Sequence, residues 1–558
     1  MNTVFLAVIA AVLYIVAYNT YGRFLARKIF ALNVKAVTPA VQINDEEDYV
    51  PTKKEILFGH HFASIAGTGP IVGPAIGIIW GWVPAVLWIV FGSIFMGAVH
   101  DMGTLVVSMR HQGRSIGDVI ADFTSPRVRI MFLCIIFLTL LILITVFCLV
   151  VAQLLEMYPQ AVLSIWGEIP LALLLGYVIY RLKWSSLPFS LLALVLLYVM
   201  IALGVVWPLR MPTIGGIDPT TLWIVVLFIY VYSASVLPVW RLLQPRDYIN
   251  GHELFVGMLL LAVAIVVAHP DIVAPAFQVH PKGSPPMLPF LFITIACGAI
   301  SGYHALVGSG TTSKQISNEM HAKTIGYGGM LLEGMLSIFV VVAVAGGIGM
   351  LADADGAIGS AIWYKHYTTW QGAASLGAEV SIFVEGSANM MTYIGIPLIF
   401  GKAIMGVFVA SFAGSSLDTA TRLQRYVVSE LSTCFNCKIF TKKYVATTIA
   451  VGTAAALALW DGKGQGGLIL WPLFGVANQL LASLALLTVT MYLVKKRKNI
   501  IYTVIPFVFM LIMTGWAMLS LLDIFIEQRS FNLFIIGGVI MLLEVWMIIE
   551  VLIVLKRR

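Results

Sequence analysis

Apolar runs of about 20 residues, the length that carries a helix across ~30 Å of hydrocarbon, recur from one end of this 558-residue chain to the other. No other feature constrains the fold as strongly, because in lipid every backbone polar group must be satisfied inside the protein, and only helices or closed barrels achieve that. The runs predict about fifteen transmembrane helices, the first near residues 4–22 and the last near 533–555. Composition agrees with an all-α polytopic membrane protein: 60% of residues are hydrophobic and 11% charged, outside the range of soluble globular domains. The formal charge of +7 does not indicate a nucleic-acid partner, since the basic residues sit between spans and do not cluster on one folded surface. In the first run the positive charge follows the apolar stretch, so it reads as a retained anchor and not as a cleaved signal peptide.

Lysine and arginine collect on the cytoplasmic side of membrane proteins, and here they occupy alternate loops. With the N-terminus outside and the C-terminus cytoplasmic, 28 of the 34 fall in cytoplasmic segments, including Lys53, Lys54, Arg110, Arg114, Lys442, Lys443 and the terminal Lys556, Arg557 and Arg558. Only Arg210, Lys282, Lys365, Lys463 and Arg529 fall outside, and Lys402 lies within a span. The stretch "SLGAEVSIFVEGSANMMTYIG", which contains residues 376–390, reads as an external interfacial helix better than as a crossing. Cys134, Cys148 and Cys297 lie in spans, and the "CFNC" pair Cys434 and Cys437 has no second pair nearby to complete a zinc site. Neither a metal nor a cofactor is expected.

The stretch "GHHFASIAGTGPIVGP" spoils a helix at bilayer depth. Entering from the cytoplasm near Ile56, the chain brings Gly67, Thr68, Gly69 and Pro70 to roughly 17–21 Å, around the bilayer centre. Proline removes a backbone donor and glycine lowers the cost of leaving helical geometry, so an unwound segment is predicted there. Such backbone survives only where it is buried in protein or lines a wet cavity, and its half-helix ends offer amides or carbonyls to a bound ion. A second interruption is predicted at Ser233 and Ser235 in "YVYSASVLPVW", within a span of opposite direction. A third irregular stretch, "GYHALVGSGTTSKQ", supplies Ser309, Thr311 and Thr312 as neutral oxygens for a sodium-type site.

Ionisable groups within spans are functional candidates. His61, His100 and Asp101 share the cytoplasmic third and suit a proton relay, with hydrogen bonding across a helix interface as the competing reading. A metal set of His60, His61, His100 and Asp101 is disfavoured because adjacent histidines point ~100° apart on a helix. Lys402 could replace a sodium ion or exchange a proton. Asp418 and Arg422, at i and i+4, and Arg246 and Asp247 of "QPRDY" are candidates for a cytoplasmic gate.

The segments "FGHHFASIAGTGPIVGPAIG", "QPRDYIN", "LVGSGTTSKQ", "SFAGSSLDTATRLQRY" and "LWPLFGVANQLLA" resemble the carbon starvation protein A family of bacterial inner-membrane transporters, over about Ile56 to Ala482. The resemblance implies uptake of peptides, or of pyruvate with protons for some members. It also implies membership of the amino acid, polyamine and organocation superfamily, whose core is a LeuT-like pair of inverted five-helix repeats.

The expected organisation is an anchor helix and cytoplasmic loop (1–55), a first repeat (56–208), a second repeat (209–413), a cytoplasmic segment (414–443) and four further helices (444–558). A seven-plus-seven repeat starting at Ile56 and near Pro289 also fits the parity, because "SIAGTGP" and "ALVGSGT" look alike. The chain reads as a secondary transporter, not an enzyme. Its expected partners are a peptide or pyruvate, H+ or Na+, membrane lipid and a second copy in a homo-oligomer. The competing class is a membrane sensor that binds the nutrient without moving it.

Overall fold

A computed structural model describes residues 2–352, 355–370, 376–462 and 464–557; Lys463 and Arg558 of the charge pattern lie outside the described residues. The membrane-type helices of the first half are α1 (Thr3–Ile29), the pair α2 (Lys54–Ile65) and α3 (Gly69–Trp80), α4 (Trp82–Met109), α5 (Pro126–Met157), α6 (Pro159–Tyr180), α7 (Ser186–Val206), α8 (Pro219–Val236) and α9 (Leu243–Ala268). The short helices α10 (Met287–Thr294) and α11 (Gly302–Gly310) follow, then α12 (Lys323–Met350) and α13 (Ser360–Tyr367). The chain continues with α14 (Leu376–Thr392), α15 (Leu398–Cys434), α16 (Lys443–Ala458), α17 (Gly466–Lys495), α18 (Ile501–Glu527) and α19 (Phe531–Arg557).

Several helix starts follow from capping chemistry. The Asn2, Ser125 and Asp218 side chains each accept a first-turn amide, and Pro126 and Pro219 take first-turn positions where a missing N–H costs nothing.

Twelve of these helices are long and apolar enough to cross a membrane, and the bent pair α2–α3 makes a thirteenth. The fifteen expected crossings exceed this by two because α10 and α11 are only 8 and 9 residues long and α16 only 16. Burial separates core from periphery: the apolar windows of α5, α12 and α17 are 78%, 89% and 94% buried, whereas those of α7, α18 and α19 are 33%, 33% and 22% buried. The most extensive helix contact joins α5 to α15, while α2 packs along α9, α8 on α16 and α11 on α17.

The first predicted break is present: the chain is non-helical at 66–68 and the two halves bend by 44°. Gly69 and Pro70 fall in the first turn of α3 and not in the gap. The second predicted break is absent, since α8 runs unbroken through Ser233 and Ser235. Ser233 Oγ donates back to Ile229 O at 3.0 Å, which keeps the serine inside the helix, and Pro238 lies beyond the helix end where it interrupts nothing.

The interruption that meets the first one is instead "IACGAIS", Ile295–Ser301, between α10 and α11. Gly69 abuts Cys297 so closely that a Cβ would overlap its Sγ, and a Cβ on Gly73 would lie 2.6 Å from Thr294 O. The expected crossing at 388–413 is replaced by the 37-residue α15. Helix α14 is packed into the bundle: Val380, Phe383 and Val384 are buried, and it packs on α3, α12 and α15.

At the α2–α9 crossing, Gly59 and Gly251 let the two backbones touch, and a Cβ on Gly251 would lie 2.9 Å from Gly59 Cα. Gly251→Val is expected to lose about 1–3 kcal/mol of stability through overpacking, read as a lower thermal midpoint in detergent. Gly452→Val, at a position with no neighbour within 4 Å, is expected to melt like the unaltered protein.

Candidate functional site

The two breaks border a mostly apolar cavity of about 650 Å³, lined by Thr68, Gly69, Phe147, Thr294, Cys297 and Phe474 among others. Its rim holds Pro285, Trp370 and Gln528, at the end of the molecule away from the basic loops. Main-chain groups at and beside the broken helix ends are satisfied by side chains from four other helices. Ser416 Oγ donates to Ser64 O (2.8 Å), Ser337 Oγ to Pro70 O (3.1 Å) and Trp88 Nε1 to Ile295 O (2.8 Å). Asn478 accepts from Tyr303 N (2.9 Å) and so caps α11.

The amides expected to be free from Thr68 to Val72 are mostly not. Ile71 N and Val72 N donate to Thr68 O at 3.1 and 2.8 Å, and Pro70 has no N–H. What the cavity meets is the positive end of α3 at Gly69, beside the Thr68 side chain.

Below the cavity, Asp101 is shared by two histidines: its Oδ1 lies 2.7 Å from His100 Nδ1 and its Oδ2 3.0 Å from His304 Nδ1. The other nitrogen of His304, Nε2, lies 3.3 Å from Glu333 Oε2. All four residues are fully or almost fully buried. The pairing expected of His100 and Asp101 is thus present, with His304 as its centre. His61 bonds elsewhere, its Nδ1 lying 2.8 Å from Thr312 Oγ1.

The hydroxyls of the sodium-type set have partners within the protein. Ser309 Oγ and Thr311 Oγ1 donate to Ala305 O and Val307 O (2.6 and 3.0 Å), and Thr312 Oγ1 lies 2.8 Å from His61 Nδ1, so each of the three hydroxyls is engaged by a protein partner. Lys402 sits four residues into α15 and pairs with Glu385 at 3.2 Å, with both side chains more than a third exposed. It reaches outward as long basic side chains do near helix ends, and takes no part in the buried cluster.

The proposed gate residues fall in three separate groups, and Asp418 and Arg422 have different partners. Arg246 pairs with Asp418, which also accepts from Tyr230 OH (2.6 Å), and Glu168 Oε1 lies 3.5 Å from Arg246 Nε. Asp247 instead holds His60 at 2.5 Å. Nearer the basic end, Arg422 Nη1 bonds Asp48 Oδ1 (3.0 Å), and Tyr426 OH donates to the same oxygen (2.6 Å). Arg422 and Arg425 also donate to Ala234 O and Ser235 O (3.0 Å each), closing the C-terminal carbonyls of α8.

Burial alone would raise the Asp48 pKa, but Arg422, Lys314 and Arg425 outweigh it and hold the carboxyl well below the usual carboxylate range. Sequence reasoning missed Asp48, Glu168, Cys297 and His304 and assigned Glu333 no role. His304 lay inside a quoted irregular stretch, and an ionisable side chain beside helix-breaking residues was the available signal.

Comparisons with known proteins agree with this architecture. Residues 2–517 match the family model described as Carbon starvation protein CstA. A Campylobacter jejuni protein named Peptide transporter CstA is 35% identical over 92% of this chain and 79% of its own. An Escherichia coli protein named Pyruvate/proton symporter BtsT is 33% identical over 93% and 81%. A crystal structure of a manganese transporter mutant from Eremococcus coleocola superposes with a TM-score of 0.51 at 13% identity, covering 92% of this chain and 99% of that one, a likeness of fold.

Asp48→Asn removes the counter-charge of two buried arginines and is expected to cost about 2 kcal/mol, the scale of a hydrogen bond to a charged group. A carboxylate whose pKa is lowered on folding contributes stability above its unfolded pKa of about 3.9 and loses it only as pH falls through the folded value. The difference in thermal midpoint between Asp48→Asn and the unaltered protein is therefore expected to be the same at pH 6 and pH 8.

Proposed function

Because the chain belongs to the carbon starvation protein CstA family, we propose that it is a cation-coupled symporter of the bacterial inner membrane, importing peptides or a small carboxylate such as pyruvate by alternating access. The observation that carries this reading is the meeting of two broken helices, α2–α3 and α10–α11, at one cavity. Discontinuous helices at bilayer depth are how transporters present helix ends to substrate and ion. A substrate carboxylate would bind at the positive end of α3 beside Thr68 and Gly69, with apolar parts against Phe147 and Phe474.

The core is read as two inverted repeats of five spans, with different limits from those expected on sequence alone. The first comprises α2–α3, α4, α5, α8 and α9, interrupted by the hairpin α6–α7; the second comprises α10–α11, α12, α15, α16 and α17. Corresponding members pack together, α5 with α15 and α8 with α16, and the broken members adjoin. The basic loops would then be cytoplasmic, the cavity would open outward, and the Asp48–Arg422–Arg425 network would hold the cytoplasmic side shut.

Proton coupling is favoured over sodium because the buried cluster near the cavity consists of titratable groups, Asp101, His304 and Glu333, whereas the three hydroxyls are each engaged by a protein partner. Cys297 links the two places, lining the cavity and lying in the same corner as His304 and Glu333. In reconstituted vesicles, labelled pyruvate or dipeptide is expected to accumulate under an inwardly directed proton gradient. His304→Gln is expected to reduce accumulation to the protein-free background while leaving substrate exchange at equal pH. Accumulation under neither a proton nor a sodium gradient would overturn the transport reading, and substrate binding without accumulation would favour the sensor.

A further inference from the structure

The corner beneath the cavity has more ligand chemistry than a proton requires. One ligand atom from each of Cys297, His304 and Glu333 lies within 4.8 Å of the others, and all three residues are buried. His304 Nε2 and both Glu333 carboxylate oxygens have no hydrogen-bond partner among the described residues, although Nε2 and Oε2 approach to 3.3 Å. Unpaired polar atoms at zero exposure are costly unless something satisfies them.

The surroundings orient these atoms. Asp101 Oδ2 holds His304 Nδ1 at 3.0 Å, leaving Nε2 as the ring nitrogen that faces Glu333. A carboxylate fixing one imidazole nitrogen while the other faces a ligand is the supporting arrangement found behind metal-bound histidines. Cys297 Sγ lies 3.5 Å from Ser301 Oγ, a weak contact for a thiol. Cys297 belongs to the irregular link before α11, His304 to α11 and Glu333 to α12, and Cys297 also lines the cavity.

We propose that Cys297, His304 and Glu333 form a binding site for a borderline divalent transition cation of the Zn2+ or Co2+ class. Thiolate, imidazole and carboxylate together select this class over Mg2+ and Ca2+, which prefer oxygen-only ligands. Three protein ligands leave a position open toward the cavity, as in sites that exchange their fourth ligand. The site itself rests on geometry alone. Its consequence for transport rests on the proton-coupling reading: a cation held by His304 and Glu333 displaces the proton they would carry and ties α11 to α12.

The test is titration of the purified full chain with Co2+, read as the thiolate-to-cobalt charge-transfer absorption. One Co2+ per chain is expected, with the band lost in Cys297→Ser and unchanged in the Cys434→Ser, Cys437→Ser double variant. Glu333→Gln, which keeps side-chain size, is expected to retain a band but weaken Co2+ binding at least tenfold. A thermal melt matching the unaltered protein identifies variants that fold. No band in the unaltered chain, or a band that survives Cys297→Ser in folded protein, overturns the site. Because the readout needs no substrate, a failure of transport leaves this result independent.

Discussion

A main chain that leaves the helix inside a bilayer must find partners for its carbonyls and amides within the protein. Here that requirement falls where two helices are interrupted, at 66–68 and Ile295–Ser301, and main-chain groups at the broken ends are met by side chains from helices that have no such interruption. Ser416 of α15, Ser337 of α12, Trp88 of α4 and Asn478 of α17 each hold one group of the broken region. The surrounding bundle therefore does more than enclose the cavity. Removing any one of these donors or acceptors would leave a buried polar group unsatisfied, at about 1–3 kcal/mol, so the break is an over-determined feature and not a soft spot.

The buried charges obey the same rule by a different route. Arg246 is surrounded by Asp418, Glu168 and the Tyr230 hydroxyl, which come from α15, α6 and α8. A paired charge at zero exposure is weak evidence for stability, since desolvation offsets most of the attraction, but breaking the pair is strongly unfavourable. Such contacts act as fixed joints between elements. The Asp48 cluster differs because Asp48 belongs to the segment before α2, so it can release Arg422 and Arg425 without unpacking a helix.

The membrane class and the first break were legible in the sequence because each depends on local composition: apolar length, and glycine with proline. The second break was misplaced because serine has two readings. In "YSAS" the Ser233 hydroxyl bonds back to the preceding turn and the helix continues, whereas in "IACGAIS" small residues with no strong breaker leave the helix where Gly73 meets the Thr294–Ile295 backbone and Gly69 meets the Cys297 side chain. Pairings across the bundle were the least legible. Asp418 and Arg422 have ideal helical spacing, yet each finds a better partner more than 150 positions away in sequence. Lys402 looked deep only because the apolar run was assumed to start earlier than α15 does.

The juxtaposition of cavity and titratable cluster bears on how coupling could work. Cys297 is the hinge between them, since its segment contacts Gly69 of the first break and leads directly into α11, which carries His304. A change in what occupies the space beside Gly69 would press on this irregular segment through the Cys297 side chain, which Gly69 directly abuts. Movement of α11 in turn alters the separation of His304 from Glu333 on α12, already at 3.3 Å without good hydrogen-bond geometry. Charge on His304 favours a short distance and neutral His304 does not. On the proposed proton-coupled reading, substrate position and protonation state would be linked through one short piece of non-helical backbone.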